Sequence, residues 1–119
     1  MNIFLAGATG LVGTSIINYV LNNAPTLQII GTYKSTKPFI YNERINYIQA
    51  DLTHRTEYEK AAEECECAIM AAANTGGALS ATSSPYLQVT DNIVMDATML
   101  ETFYFSKIKR VKSRAVRPL

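Results

Sequence analysis

A parallel α/β sheet, with strands ordered 3-2-1-4 and helices on both faces, is the fold class this sequence predicts. Three observations carry it: short apolar runs alternate with stretches of helical period, glycines punctuate the first strand-to-helix junction, and a long amphipathic stretch follows the fourth apolar run. The 119 residues are 48% hydrophobic with a formal net charge of +1, which describes one globular domain with a modest core.

Ile3 to Ala6 is apolar and reads as the first strand. Gly7, Gly10 and Gly13 follow at G-x-x-G-x-x-G spacing, after which Val12, Ile16, Ile17, Val20 and Leu21 recur at helical period and form one face. The glycines therefore join a buried strand to an amphipathic helix, the context in which this spacing carries meaning. Gly7 permits the tight turn, Gly10 lets backbone N–H groups approach a pyrophosphate, and Gly13 allows helix and strand to pack closely. The helix start then faces the anion with its partial positive charge. The plainer alternative is that these glycines only punctuate a turn.

After "NNAP" ends that helix, "LQIIGTYKS" reads as a second buried strand, "INYIQADL" as a third and "CAIMAAAN" as a fourth. "HRTEYEKAAEEC", between the third and fourth, has helix-forming composition with acidic residues early. In "YLQVTDNIVMDATMLETFYFSKIKR", Val89, Ile93, Ala97, Leu100 and Tyr104 stand at three- and four-residue intervals and predict a long amphipathic helix. There is no internal repeat.

No run reaches the roughly 18 apolar residues of a membrane span, and "MNIFLAGATG" lacks the basic start of a secretory signal, so a cytoplasmic protein without membrane contact is expected. Cys65 and Cys67 form a C-x-C pair with the single histidine, His54, well separated, too few ligands for a metal centre, and both cysteines are expected to be structural. His54 follows "ADLT" and is expected in a polar strand-to-helix loop, solvated or capping.

"GATGLVG" after a first strand, "DL" closing the third, "AAAN" after the fourth and "NIVMDATMLE" in the last helix together resemble the extended short-chain dehydrogenase/reductase family, in particular its NAD-dependent epimerase/dehydratase group. The last piece is similar to that family's N-V-x-G-T-x-N-L-L-E pattern at Asn92, Ile93, Leu100 and Glu101, while Met95 and Asp96 depart from its Gly and Thr. The resemblance runs from Met1 to about Val111 and implies the N-terminal part of an NAD(P)-binding Rossmann domain, with 112–119 a divergent basic tail.

It further implies a set of cofactor contacts. Gly7, Gly10 and Gly13 would line the pyrophosphate, with Leu11 and Val12 adding backbone N–H groups. Asp51 would accept from the adenine amino group beside Leu52, and Ala71, Ala72 and Ala73 would form a close wall along the cofactor. The alternatives are a helix cap for Asp51 and ordinary buried strand for the alanines. Where a carboxylate would hold the ribose 2′-OH of NAD, the sequence has Thr32, Tyr33, Lys34 and Ser35, with Lys37 close by. Two ammonium groups and no carboxylate at that point favour NADP, with NAD possible; the alternative is a solvated loop.

The family's chemistry is hydride transfer at a sugar carbon, with a Ser or Thr and a Tyr-x-x-x-Lys pair on one helix face. The sequence has that spacing at Tyr33 and Lys37, but Pro38 follows directly and disfavours helix there, so no catalytic residue is assigned. The terminal "KIKRVKSRAVRPL" holds six of the eleven Lys and Arg residues. Lys112, Arg114 and Arg117 break the apolar run expected of a buried fifth strand, so the tail reads as an interrupted strand, consistent with a truncated or frameshifted coding region. Five basic against ten acidic residues before Lys107, and no aromatic in the tail, argue against nucleic acid. The expectation is thus the cofactor-binding part of a nucleotide-sugar epimerase, dehydratase or reductase, binding substrate only if the missing half is supplied and self-associating through an unpaired sheet edge on the fourth strand. The alternative is a catalytically silent NADP-binding sensor or interaction module.

Overall fold

The structure, a computed structural model, describes residues 1–72, 85–106 and 108–113. Its elements are β1 (Asn2–Ala6), α1 (Leu11–Asn23), β2 (Gln28–Tyr33), β3 (Ile45–Gln49), a 3-10 turn (Arg55–Glu57), α2 (Glu59–Glu63), β4 (Cys67–Met70), α3 (Pro85–Tyr104) and β5 (Arg110–Ser113). All pairings are parallel and the sheet order is β3-β2-β1-β4-β5. This is a Rossmann-like sheet, with the expected 3-2-1-4 order extended by one strand.

Each face of the sheet carries its own core. Leu5, Ile29 and Ile45 pack against Ile17 and Val20 of α1 on one side. On the other, Phe4, Ala6, Ala68 and Met70 meet Tyr58, Ala62 and Cys65 together with Met95, Met99 and Phe103 of α3. Phe4 is the hub of that second core, 5.6 Å edge-on to Phe103 and 5.9 Å from Tyr58 between ring centroids. Burial pushes the Cys65 thiol up to about 12, so it stays protonated and packs as a small apolar group. His54 is exposed and its Nδ1 lies 2.8 Å from Glu57 Oε2.

Three expectations are corrected. The fourth strand has no unpaired edge: Cys67 to Met70 pair with Arg110 to Ser113 along their whole length, which removes the stated basis for self-association there. The strand forms despite its charges because it lies at the edge of the described sheet, where Arg110 and Lys112 remain exposed; the apolar rule holds for strands covered on both faces. β5 also straddles the expected boundary at Val111, and the rest of the expected tail, Arg114 to Leu119, lies outside the described residues. In α3, the stripe through Ile93, Ala97, Leu100 and Tyr104 faces outward, with Ile93 63% and Tyr104 82% exposed. Met95, Met99, Thr102 and Phe103 are buried instead. The side chain of Val89, the first residue of the expected stripe, lies outside the described residues.

Arg44 is a structural residue the sequence did not mark. Its guanidinium donates to the carbonyls of Leu21 (2.9 Å) in the last turn of α1 and of Ala24 (2.8 Å) and Leu27 (3.3 Å) in the link to β2, placing positive charge at the negative end of the helix. Arg44→Met is expected to lower stability by about 2 kcal/mol, read as a reduced urea midpoint at unchanged slope.

Candidate functional site

The site forms at the carboxyl ends of the parallel strands, where open α/β sheets leave a crevice. β1 leaves the sheet at Gly7, whose φ of +82° is a left-handed conformation that side chains rarely adopt. A Cβ there would also stand 2.5 Å from Ala72 Cα. The turn is tied to β2: Gly7 N–H donates to Thr32 Oγ1 (3.0 Å) and Ala8 N–H to the Thr32 carbonyl (2.8 Å). Thr32 is fully buried, and sequence reasoning gave it no part in the turn.

Gly13 faces a different constraint. A Cβ on it would overlap the Gly7 carbonyl oxygen and lie 2.9 Å from Ala8 backbone atoms, so it serves the close approach of α1 to the turn. Gly10 is unlike both. Among the described residues the nearest atom to a Cβ at Gly10 is Gly7 O at 3.9 Å, an ordinary van der Waals contact with no clash. Among the described residues, no packing requires glycine here. Gly10 is the N-cap of α1, makes no side-chain cap, and is followed by a first turn without acidic residues. The N–H groups that open α1, at Leu11, Val12 and Gly13, have no partner within the helix and suit an external anion.

The second wall comes from the ends of β2 and β3. Tyr33 accepts from Ala50 N–H (2.9 Å) and the Lys34 carbonyl accepts from Gln49 Nε2 (3.0 Å), which draws the two strand ends together. Lys34 Nζ consequently lies 3.6 Å from Asp51 Oδ2. Asp51 Oδ1 accepts from the Thr53 hydroxyl (2.7 Å) and the Thr53 N–H (3.0 Å). Those two bonds, hydroxyl first, with Lys34 adding to them, hold the Asp51 carboxyl below its usual range and keep it charged. Asp51 thus closes a local turn on Thr53 while its other oxygen faces Lys34.

These residues line one cleft of about 640 Å³, within the range of small-molecule sites. Of the residues singled out in the sequence, Gly7, Gly10, Leu11 and Val12 form its floor, Tyr33, Lys34 and Ser35 one side, Asp51 and Leu52 the next, and Ala71 and Ala72 the far wall. Gly13 lies behind the floor, and Ala73 is outside the described residues. Thr9, Thr36 and Thr53 also line the cleft and were not marked in the sequence, and Met95, marked there only as a departure from the family's pattern, lines it too. Met95 comes from α3, so only the folded chain brings it here. Tyr33 ends β2 and Lys37 follows in a non-helical loop, so "YKSTK" does not place both on one helix face. Among the described residues, no three His, Cys, Asp or Glu side chains gather to hold a metal ion, and no helix is long and apolar enough to cross a membrane.

The same backbone occurs in larger enzymes. UDP-glucose 4-epimerase from Thermotoga maritima, solved with UDP-glucose, superposes with a TM-score of 0.78 at 18% identity over 95% of this chain and 37% of that one. A dTDP-glucose 4,6-dehydratase from Streptomyces venezuelae, solved with NAD bound, gives 0.81 at 15% identity over 93% of this chain and 38% of that one. A UDP-glucuronic acid 4-epimerase variant from Bacillus cereus, in complex with NAD, gives 0.76 at 22% identity over 95% and 39%. The chain therefore spans less than half the length of the solved proteins it resembles. No curated protein matches it in sequence. At these identities the superpositions establish a shared fold, and the sequence itself supplies the kinship: residues 3–113 match the family described as NAD dependent epimerase/dehydratase, to which this chain belongs.

Proposed function

We propose that this chain is the NAD(P)-binding part of a nucleotide-sugar epimerase, dehydratase or reductase. The observation that carries this reading is Gly10: a glycine that packing among the described residues does not require, at the uncapped start of a helix and lining the cleft. Gly7 and Gly10, with the N–H groups of Leu11, Val12 and Gly13, would receive the pyrophosphate. Asp51 and Leu52 would border the adenine, and Ala71, Ala72 and Ala73 would let the cofactor run close to the end of β4. Tyr33, Lys34 and Ser35 would surround the adenosine ribose. When bound, the dinucleotide supplies hydride exchange with a substrate carbon. The residues described here bind and orient it, and the acid/base step on the sugar requires groups that they do not provide. The family relationship and the nucleotide-sugar enzymes that share the fold support this assignment, with the cytoplasm as the proposed compartment.

NADP is proposed as the preferred cofactor, because Lys34, exposed though paired with Asp51, and Ser35 line the cleft just past the end of β2, with Lys37 three residues further along the chain. Calorimetry with NADP and NAD is expected to show tighter binding of NADP. Equal affinities, or NAD the tighter, would refute the preference, and no binding of either would refute the cofactor site itself.

A further inference from the structure

Lys34 already has an anion in front of it. Its Nζ lies 3.6 Å from Asp51 Oδ2, and the carboxylate is held in place by two bonds from Thr53 to its other oxygen. The backbone on both sides is pinned by the Gln49 side chain on the Lys34 carbonyl and by Glu57 Oε1, which accepts from Asp51 N–H at 2.9 Å. The ammonium therefore has a fixed anion in front of it, in the same cleft and on the same side as the position expected for a 2′-substituent.

We infer that Asp51 is a specificity-determining residue that works against Lys34: it occupies the lysine in the free cleft and repels a 2′-phosphate, so it restrains the preference for NADP over NAD. This rests on the dinucleotide reading above. Binding NADP requires the phosphate to share Lys34 with a carboxylate that Thr53 holds by two hydrogen bonds. Binding NAD brings a neutral 2′-hydroxyl and leaves the pair intact. With the lysine side chain 74% and the aspartate 28% exposed, solvent screens the pair, and an effect of about two- to five-fold in an equilibrium is the appropriate scale.

The test compares the ratio of NAD to NADP dissociation constants, measured by calorimetry on the whole chain. Any contact that Asp51 makes with the adenine is common to both cofactors and cancels in the ratio. Asp51→Asn is expected to raise the ratio about two- to five-fold, and to raise it less when Lys34→Gln is also present. Lys34→Gln alone, at an exposed position that does not threaten folding, is expected to carry the ratio below one, because Asp51 then faces the phosphate with no cation between them. A ratio unmoved by Asp51→Asn, an equal rise in both backgrounds, or a Lys34→Gln chain that still prefers NADP would each overturn the inference while leaving the cofactor site standing. Failure of the wild-type chain to bind either dinucleotide would instead overturn the reading beneath it.

Discussion

Gly13→Val is expected to abolish folding, whereas the same substitution at Gly10 leaves a cooperative melt and weakens dinucleotide binding. The difference lies in what a Cβ would meet. At Gly13 it overlaps the carbonyl oxygen of Gly7 and crowds Ala8, and both obstacles are backbone, so no rotamer change relieves them. Separating α1 from the turn would open the core around Leu5, Ile17 and Ile29 and break the Gly7 and Ala8 bonds to Thr32. A cost above about 4 kcal/mol consumes most of the stability of a small domain. At Gly10 a Cβ meets only an ordinary contact among the described residues, and the fold loses only the advantage of glycine over valine at an N-cap, about 1 kcal/mol. The valine side chain would stand where the pyrophosphate approaches. Loss of roughly 2 kcal/mol of charge-assisted hydrogen bonding corresponds to about 30-fold weaker binding of both cofactors. Circular dichroism melts and calorimetry on the two variants read these outcomes separately. A folded Gly13→Val chain, or a Gly10→Val chain that binds NADP as well as wild type, would contradict the assignment of roles.

The second large effect concerns turnover. The 119-residue chain is expected to bind cofactor and yet not oxidise, reduce or epimerise GDP-, UDP- or dTDP-sugars at any pH. Hydride transfer at a sugar carbon needs a group that takes or returns the hydroxyl proton, and a well-placed one is worth about 10²- to 10⁴-fold. Holding the sugar against the nicotinamide contributes further. The sequence's Tyr-x-x-x-Lys spacing is split between the end of β2 and a loop, on the side of the cleft proposed for the adenosine ribose. The assay compares this chain with a version extended through the downstream coding frame. Activity confined to the extended protein fits the enzyme reading, while cofactor binding with no activity in either favours a silent binding module. Turnover by this chain that disappears in Tyr33→Phe would show that Tyr33 is catalytic after all.

Local sequence determined much of the fold and most of the cleft, because the features concerned depend on short-range rules. A strand followed by three spaced glycines and an apolar helical face has few geometries open to it, and Gly7, Gly13, Ile17 and Val20 take the places their spacing implies. The ends of β2, β3 and β4 likewise follow from apolar runs, so Tyr33, Lys34, Asp51 and Ala72 could be assigned to one edge before any coordinates. Tertiary structure decided what periodicity leaves open. Helix α3 has two stripes able to face a core, and contact with Phe4 and Met70 selected Met95, Met99 and Phe103 over Ile93, Leu100 and Tyr104. Whether "RVKS" forms a strand depends on its having an edge position in the described sheet, since charges that would be excluded between two covered faces are tolerated at a solvated one. The meeting of Lys34 with Asp51, and of Thr32 with the glycine turn, joins residues 17 and 25 positions apart. Such pairs follow from strand register, which local pattern does not encode.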